Sequence, residues 1–156
     1  MYNKWDEQEN NKIMFKKLAA AGIALLLMTA CSKSVLGLET TEKVATLHAE
    51  NAPEEDSASG SMTVGENECV IISPNLSKGE VNIVFKDHTG NIELNEAVKG
   101  KVLNSYEITP GEYDVSATML EKTTGEITIL VMDKDEFDKE QFDLQQALEA
   151  AGVPAD

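Results

Sequence analysis

Between residues 81 and 131, apolar side chains occupy every second position in three separate runs, and this pattern constrains the fold more than any other. Val81, Ile83 and Phe85 fall on one face, alternating with Asn82, Val84 and Lys86. Tyr113, Val115, Ala117 and Met119 alternate with Asp114, Ser116 and Thr118, and Ile127, Ile129 and Val131 with Thr128 and Leu130. A period of two sends successive side chains to opposite faces of a strand, so each run predicts a strand with one buried and one wet face. Cys69–Ser73, Ile92–Leu94 and Val102–Thr109 add three short β-prone runs. Turn signals separate them at Pro74-Asn75, Lys78-Gly79, Asp87 to Asn91 and Lys99-Gly100. Thr109-Pro110-Gly111-Glu112 predicts a type II turn, and Thr123-Thr124-Gly125 a hairpin turn. About six short strands at intervals of roughly 8–12 residues predict a mainly β protein, a small antiparallel β-sandwich.

One helix is predicted after the strands, over Asp135 to Ala151. Phe137, Gln141, Leu144, Leu148 and Ala151 follow helical spacing, with Phe142 on the flank. Asp133 or Asp135 is placed to cap its start, and Gly152 with Pro154 marks the stop. Its apolar stripe is expected to cover an open face or edge of the sheet, where Phe137, Leu144 and Leu148 would complete a core poor in aromatics.

The region before the strands reads differently. Residues 51–61 (Asn-Ala-Pro-Glu-Glu-Asp-Ser-Ala-Ser-Gly-Ser) carry no apolar periodicity. Such a composition offers little apolar surface to offset the entropy of ordering, so residues 31–66 are expected to form a flexible, disordered acidic tether. Within it, Thr41 to Glu50 predicts a weak helix with Val44 and Leu47 on one side. The folded domain is then expected to span residues 67–156.

Residues 1–30 have the layout of a secretory signal. Lys16 and Lys17 precede an apolar run from Leu18 to Met28, and Thr29-Ala30 lead into Cys31. The run is eleven residues long, against the roughly 20 a membrane-crossing helix needs. It is apolar all round, unlike a helix on the surface of a soluble core. An ordinary secretory cut before Cys31 would put bulky Met28 where a small residue is preferred. Leu27-Met28-Thr29-Ala30-Cys31 resembles the lipobox of bacterial prolipoproteins. That resemblance implies lipidation of Cys31 (a diacylglyceryl group with palmitate-type chains), cleavage before it, and a domain lipid-anchored in the cell membrane or outer membrane, facing away from the cytoplasm. An uncleaved anchor is the rival reading. Asp6, Glu7 and Glu9 outweigh Lys4 and Lys12 in residues 1–13, so the expected translation start is Met14.

A second resemblance lies in Ile108 to Val115. Pro110, Gly111, Tyr113 and Val115 resemble the Pro-Gly-x-Tyr-x-Val step into a strand of immunoglobulin-like and prealbumin-like β-sandwich modules. It covers about eight residues and implies that fold alone. The Cys…Trp…Cys spacing of immunoglobulin domains is missing, since the one tryptophan is Trp5.

Charge narrows the function classes. The chain has 13 cationic residues, all lysine, against 28 Asp and Glu, for a net charge of −15. A polyanion is repelled by nucleic acid and by anionic lipid headgroups, and nucleic acid is set aside as a partner. The expected partners are the membrane, through the lipid anchor, and a protein or glycan. With Cys31 lipidated, Cys69 has no intramolecular partner and reads as a buried small hydrophobe in a strand. His48 and His88 lie away from any recognisable nucleophile, so no catalytic residue is assigned. Asp133, Asp135 and Asp138 have a faint calcium-loop spacing, but Phe137 and Leu144 stand where oxygen ligands belong. No metal or cofactor site is predicted. The leading expectation is a lipoprotein carrying a small non-catalytic binding module. An accessory subunit of an envelope complex is the alternative, and a small enzyme acting through Cys69 is a third.

Overall fold

A computed structural model describes residues 34–150, with the side chains of residues 144, 145 and 147–150 outside that description. Lys16, Lys17, Leu27, Met28, Thr29, Ala30 and Cys31 also lie outside the described residues, as do residues 1–30 as a signal segment and Met14 as a start. Among the described residues, nine strands precede one helix: β1 (Val35–Thr40), β2 (Val44–Ala52), β3 (Ser57–Val64), β4 (Glu68–Lys78), β5 (Glu80–Asp87), β6 (Ile92–Lys99), β7 (Asn104–Tyr106), β8 (Gly111–Met119), β9 (Thr123–Asp133) and α1 (Lys134–Ala150). Among the described residues, no helix is long and apolar enough to cross a membrane.

The strands form two antiparallel sheets, β1-β2-β9-β4-β7 and β3-β8-β5-β6. Pairing is nested about the β5–β6 turn: β5 with β6, β4 with β7, β3 with β8, and β2 with β9. A long two-stranded ribbon wrapped over itself in this way is a jelly roll, here with β1 added beside β2. The β-sandwich and its C-terminal helix are as expected. The immunoglobulin-like topology is not, because that fold does not nest its strands in this order.

The largest correction concerns residues 31–66. The stretch expected to be a disordered tether supplies three strands, and Thr41 to Glu50, expected to be a weak helix, lies largely in β2. The domain therefore starts near Val35, well before residue 67. In β2 the inward positions are Ala45, Leu47 and Ala49, with Ala52 beyond a bulge. In β3 they are Ala58, Gly60, Met62 and Val64, between outward Ser57, Ser59, Ser61 and Thr63. The alternation is there, but alanine and glycine carry half of it and bury little apolar area themselves. Pairing to β8 over eight consecutive positions, from Ser57 with Thr118 to Val64 with Gly111, supplies what the side chains do not.

Smaller corrections follow the same logic. Gly111 does not take the left-handed conformation a type II turn requires, and opens β8 instead. Thr123-Thr124-Gly125 lies inside β9, the turn being Leu120–Lys122. Gly125 has φ 143°, and a Cβ there would come within 2.5 Å of the Asn75 carbonyl oxygen and 2.7 Å of Leu76 Cα. Pro74 sits within β4, opposite Ile127 of β9. It stands past the end of β7, which covers only Val70–Ile72, so its missing N–H leaves no ladder partner unserved on that side.

The core lies between the sheets. Phe85, Leu47, Met62, Ile72, Ile83, Ile127 and Ile129 are all fully buried within it. Tyr113 meets Phe85 edge to face at 5.9 Å, and its hydroxyl donates to the Thr109 carbonyl at 2.5 Å, pinning the approach to β8. Thr123 is the one buried polar residue among those described, and its hydroxyl donates to the Glu121 carbonyl. The helix follows β9 without a break. Asp133 Oδ1 accepts the N–H groups of Asp135 and Glu136, which settles the cap in favour of Asp133. Phe137 is partly buried and Phe142 is 60% exposed. The expected contributions of Leu144 and Leu148 lie outside the described side chains.

Candidate functional site

All neighbouring strands run antiparallel, so the sandwich has two distinct ends. The distal end carries the β1–β2, β3–β4, β5–β6 and β7–β8 connections and the entry to α1. Its local order is dense. Lys43 Nζ donates to Glu68 at 2.5 Å and to the Thr63 carbonyl at 3.1 Å, tying the β1–β2 turn to β3 and β4. Glu68 also accepts the Gly65 N–H. The Lys43 ammonium and the Gly65 N–H together hold the Glu68 carboxyl below its usual range against the opposing effect of burial. On the far side of the same end, Lys134 donates to Glu107 at 2.8 Å, fastening the helix start to the β7–β8 connection.

Between the β1–β2 turn and β3 runs an open groove of about 320 Å³, lined by Thr40, Thr41, Glu42, Ser61, Met62 and Thr63. The Met62 side chain itself is buried in the core, 1% exposed. The two walls are joined by the Thr63 N–H donating to the Glu42 carbonyl at 3.0 Å. Below, Gly60 packs so close to the Thr40 side chain that a Cβ there would overlap it. Hydroxyls from Thr40, Ser61 and Thr63 and the Glu42 carboxylate give the groove donors and acceptors, while the Thr41 hydroxyl is engaged with the Val44 N–H and carbonyl of its own turn. That arrangement suits hydrogen bonding to a polar ligand. Every one of these residues lies in the segment the composition assigned to a tether. For Ser61, Met62 and Thr63, the signal that could have found them is the small-polar alternation from Ser57 to Val64.

The other titratable candidates are scattered. His48 is exposed on the outer face of the five-stranded sheet, opposite Glu126 of β9, whereas His88 is exposed in the β5–β6 turn of the other sheet. Cys69 is 3% exposed and pairs with Met132 on the face of β4 turned away from the core. Burial pushes its thiol up, and the nearby Lys134 only partly offsets this. Asp133 is occupied with the helix cap and with Asn67, whose side-chain amide also reaches Asp135. Among the described residues, no group of three or more His, Cys, Asp or Glu side chains is arranged to hold a metal ion. Asp87 has the most perturbed carboxyl, held at about 2 by hydrogen bonds from the Thr89 hydroxyl and N–H and from the Asn91 N–H and amide. Its acceptor capacity is spent on ordering its own turn.

No protein-family model matches the sequence, and no curated protein matches it. Among solved structures, the chain is similar to PirA, at 14% identity and a TM-score of 0.40 over 60% of this chain and 96% of that one. It is also similar to the cupin domain of Drosophila melanogaster CENP-C, at 11% identity and a TM-score of 0.35 over 83% and 100% of the two chains. A third likeness is to the capsular polysaccharide assembling protein CapF from Staphylococcus aureus, at 15% identity and a TM-score of 0.30. It covers 62% of this chain and only 28% of CapF. At such scores and identities these likenesses carry no argument about function.

Proposed function

We propose that this chain is a bacterial lipoprotein, anchored through Cys31, whose jelly roll acts as a non-catalytic binding module at the cell envelope. The observation that carries the reading is the order of Lys16 and Lys17, the apolar run to Met28, and Cys31, followed after three residues by the first strand at Val35. Two acyl chains, each contributing about 0.8 kcal/mol per buried CH₂, are enough for stable anchoring where one is marginal. The distal groove with Glu42 is the binding surface, and its hydroxyls fit a glycan or a polar protein segment. A thiol raised by burial and two exposed, separated histidines support the non-catalytic reading over a Cys69-dependent enzyme. A second reading, an accessory subunit of an envelope complex, is favoured by one observation. Phe142 stands 60% exposed on α1, between exposed Gln141 and Asp143.

Expression of the full chain with radiolabelled fatty acid tests the anchor. Wild type should carry label and co-sediment with membranes, and Cys31→Ser should accumulate as unlabelled precursor. Equal label in the variant would remove the assignment.

A further inference from the structure

We infer that the free edge of β3, beside the groove, takes a short extended polypeptide segment bearing lysine or arginine as an added strand. The inference rests on the groove as the binding surface and deepens that reading. β3 stands at the edge of the four-stranded sheet, with β8 as its ladder partner. The Met119 N–H donates to the Asp56 carbonyl, whereas the Thr63 N–H turns the other way, to the Glu42 carbonyl. Backbone groups of alternate residues point to opposite sides of an antiparallel strand, so the even-numbered residues of β3 face β8 and the odd-numbered ones face out. Ser57, Ser59 and Ser61 thus present their N–H and C=O groups along the edge. Among the described residues, no strand or side chain bonds to them there. At Thr63 the same edge is already in use, its N–H serving Glu42 and its carbonyl accepting from Lys43 Nζ. That contact is main-chain pairing at this edge, and it marks where an incoming strand must stop.

Sheet edges are ordinarily blunted by charge, proline, bulges or shortness. Among the other edges, β7 has three residues, β6 carries Glu93, Glu96 and Lys99 with a register shift, and β1 carries Glu39. The run Ser57 to Ser61 (Ser-Ala-Ser-Gly-Ser) has none of these devices, and its three serines are exposed. Their small side chains leave room for a second backbone at the usual strand spacing of about 4.8 Å. Donors and acceptors that recur every second residue, roughly 6.6–6.8 Å apart, match the repeat of an extended peptide, so the occupant is a polypeptide and not a glycan. Charge selects among polypeptides. Glu42 borders one end of the edge and Glu54, Glu55 and Asp56 the other, while Glu112 and Asp114 of β8 stand opposite Thr63 and Ser61. Of the lysines on the bordering elements, Lys43 is held by Glu68, Lys86 stands opposite Asp114, and Lys122 lies in the β8–β9 turn. The balance is acidic and favours a cationic segment. It opposes a second copy of this chain, whose β3 would bring the same carboxylates edge to edge.

The test uses the full chain in detergent solution and, as probe, an acetylated and amidated heptapeptide of alternating lysine and threonine. Amide exchange is read residue by residue by NMR. At saturating peptide the Ser57, Ser59 and Ser61 N–H groups should slow at least about tenfold, and those of Ala58 and Gly60, already in the β8 ladder, should not change. The fully N-methylated peptide has the same charge and no backbone donors, and should neither bind nor protect. Ser59→Pro removes one outward N–H and leaves the β8 ladder intact, so it should abolish protection at Ser57 and Ser61. The methylated peptide serves if that variant does not fold. Glu42→Gln should weaken binding about two- to fivefold, the worth of an exposed ion pair. No protection by the lysine peptide, protection of odd and even residues alike, or equal binding of the methylated peptide overturns strand addition. Protection without peptide, with a dimer in sedimentation, overturns the occupant in favour of a second copy. If maltoheptaose binds and the peptide does not, the inference falls and the groove stands as a glycan site. If neither binds, the groove falls with it as a binding surface. The acyl label on Cys31 is read separately, so the anchor is untouched by any of these results.

Discussion

Strands β1–β3 and strands β5, β8 and β9 belong to the same two sheets, yet they are held in place by different means. In the later strands most inward positions are large or medium apolar residues, with Ala117 and Thr123 as exceptions, and the β5–β6 turn is locally ordered. Asp87, for example, bonds to Thr89 and Asn91 within its own turn. In the earlier strands half the inward positions are Ala or Gly, and the β2–β3 turn is fastened at long range. The Glu55 N–H donates to the Met119 carbonyl, the Met119 N–H to Asp56, and the Asn51 N–H to the Thr124 hydroxyl. The contrast teaches that a strand with little hydrophobic payload can still be obligatory when its partners are complete without it in everything except a neighbour.

If that is right, beginning the chain at Gly65 should abolish folding. The deletion leaves β9 without β2 and β8 without β3, and removes buried Leu47, Met62 and Val64. Each side chain contributes roughly 1.5–3 kcal/mol on burial, so together they approach the stability of a typical domain, about 5–15 kcal/mol. Circular dichroism on heating should show no cooperative transition. An unchanged melting temperature would mean that the first three strands are an ornament on an autonomous core.

A single residue sharpens the same point. Gly60→Val places side-chain atoms into Thr40 and should cost about 1–3 kcal/mol, whereas Ser59→Val on the outward face should stay within about 0.5 kcal/mol. Urea titration of the pair reads the difference. Equal effects would show that β3 does not approach β1 as closely as its glycine implies.

The smallest expected effect lies in the locally ordered turn. The folded Asp87 carboxyl titrates at about 2, below its ordinary value near 4. Because the folded value is depressed, the contribution is present above about pH 4 and is lost as pH falls toward 2. Asp87→Asn should therefore flatten the acid limb of stability in that window and leave neutral-pH stability slightly reduced. Asp87 is half-buried in a surface turn and solvent-screened, so the change should be modest. An identical acid profile in wild type and variant would show that the turn contributes nothing to the acid limb.

Legibility in the sequence follows the same division. Phe85, Tyr113, Val115, Ile127 and Ile129 announce their buried face through alternation of large apolar and polar residues, and each is buried. The helix is equally local and equally legible, with its cap narrowed to Asp133 or Asp135, and the structure chooses Asp133. The groove is not legible: Ser61 and Thr63 follow a run of Ser, Ala and Gly, and Thr40 and Glu42 stand among Glu39, Thr41 and Lys43. A composition reading weighs those residues by their own hydrophobicity, and that measure takes no account of the partner strand across the ladder.

By itself, the sequence determined the class of fold: period-two alternation with frequent turns makes antiparallel sheet, and a capped, helically spaced tail makes one helix. It also determined the order of charged, apolar and cysteine residues before the domain, on which the anchor proposal stands. The tertiary structure alone decided that β1–β3 are part of the domain, because Val44 meets Leu130 and Ser57 meets Thr118 only when the ribbon is wrapped. It decided too that the β1–β2 turn and the β3–β4 connection share one end, which puts Glu42 beside Ser61 and Thr63. Strand direction alternates along the chain while side-chain pattern is read within one strand, so the collection of turns into two opposite ends is a property of the pairing and of no local stretch.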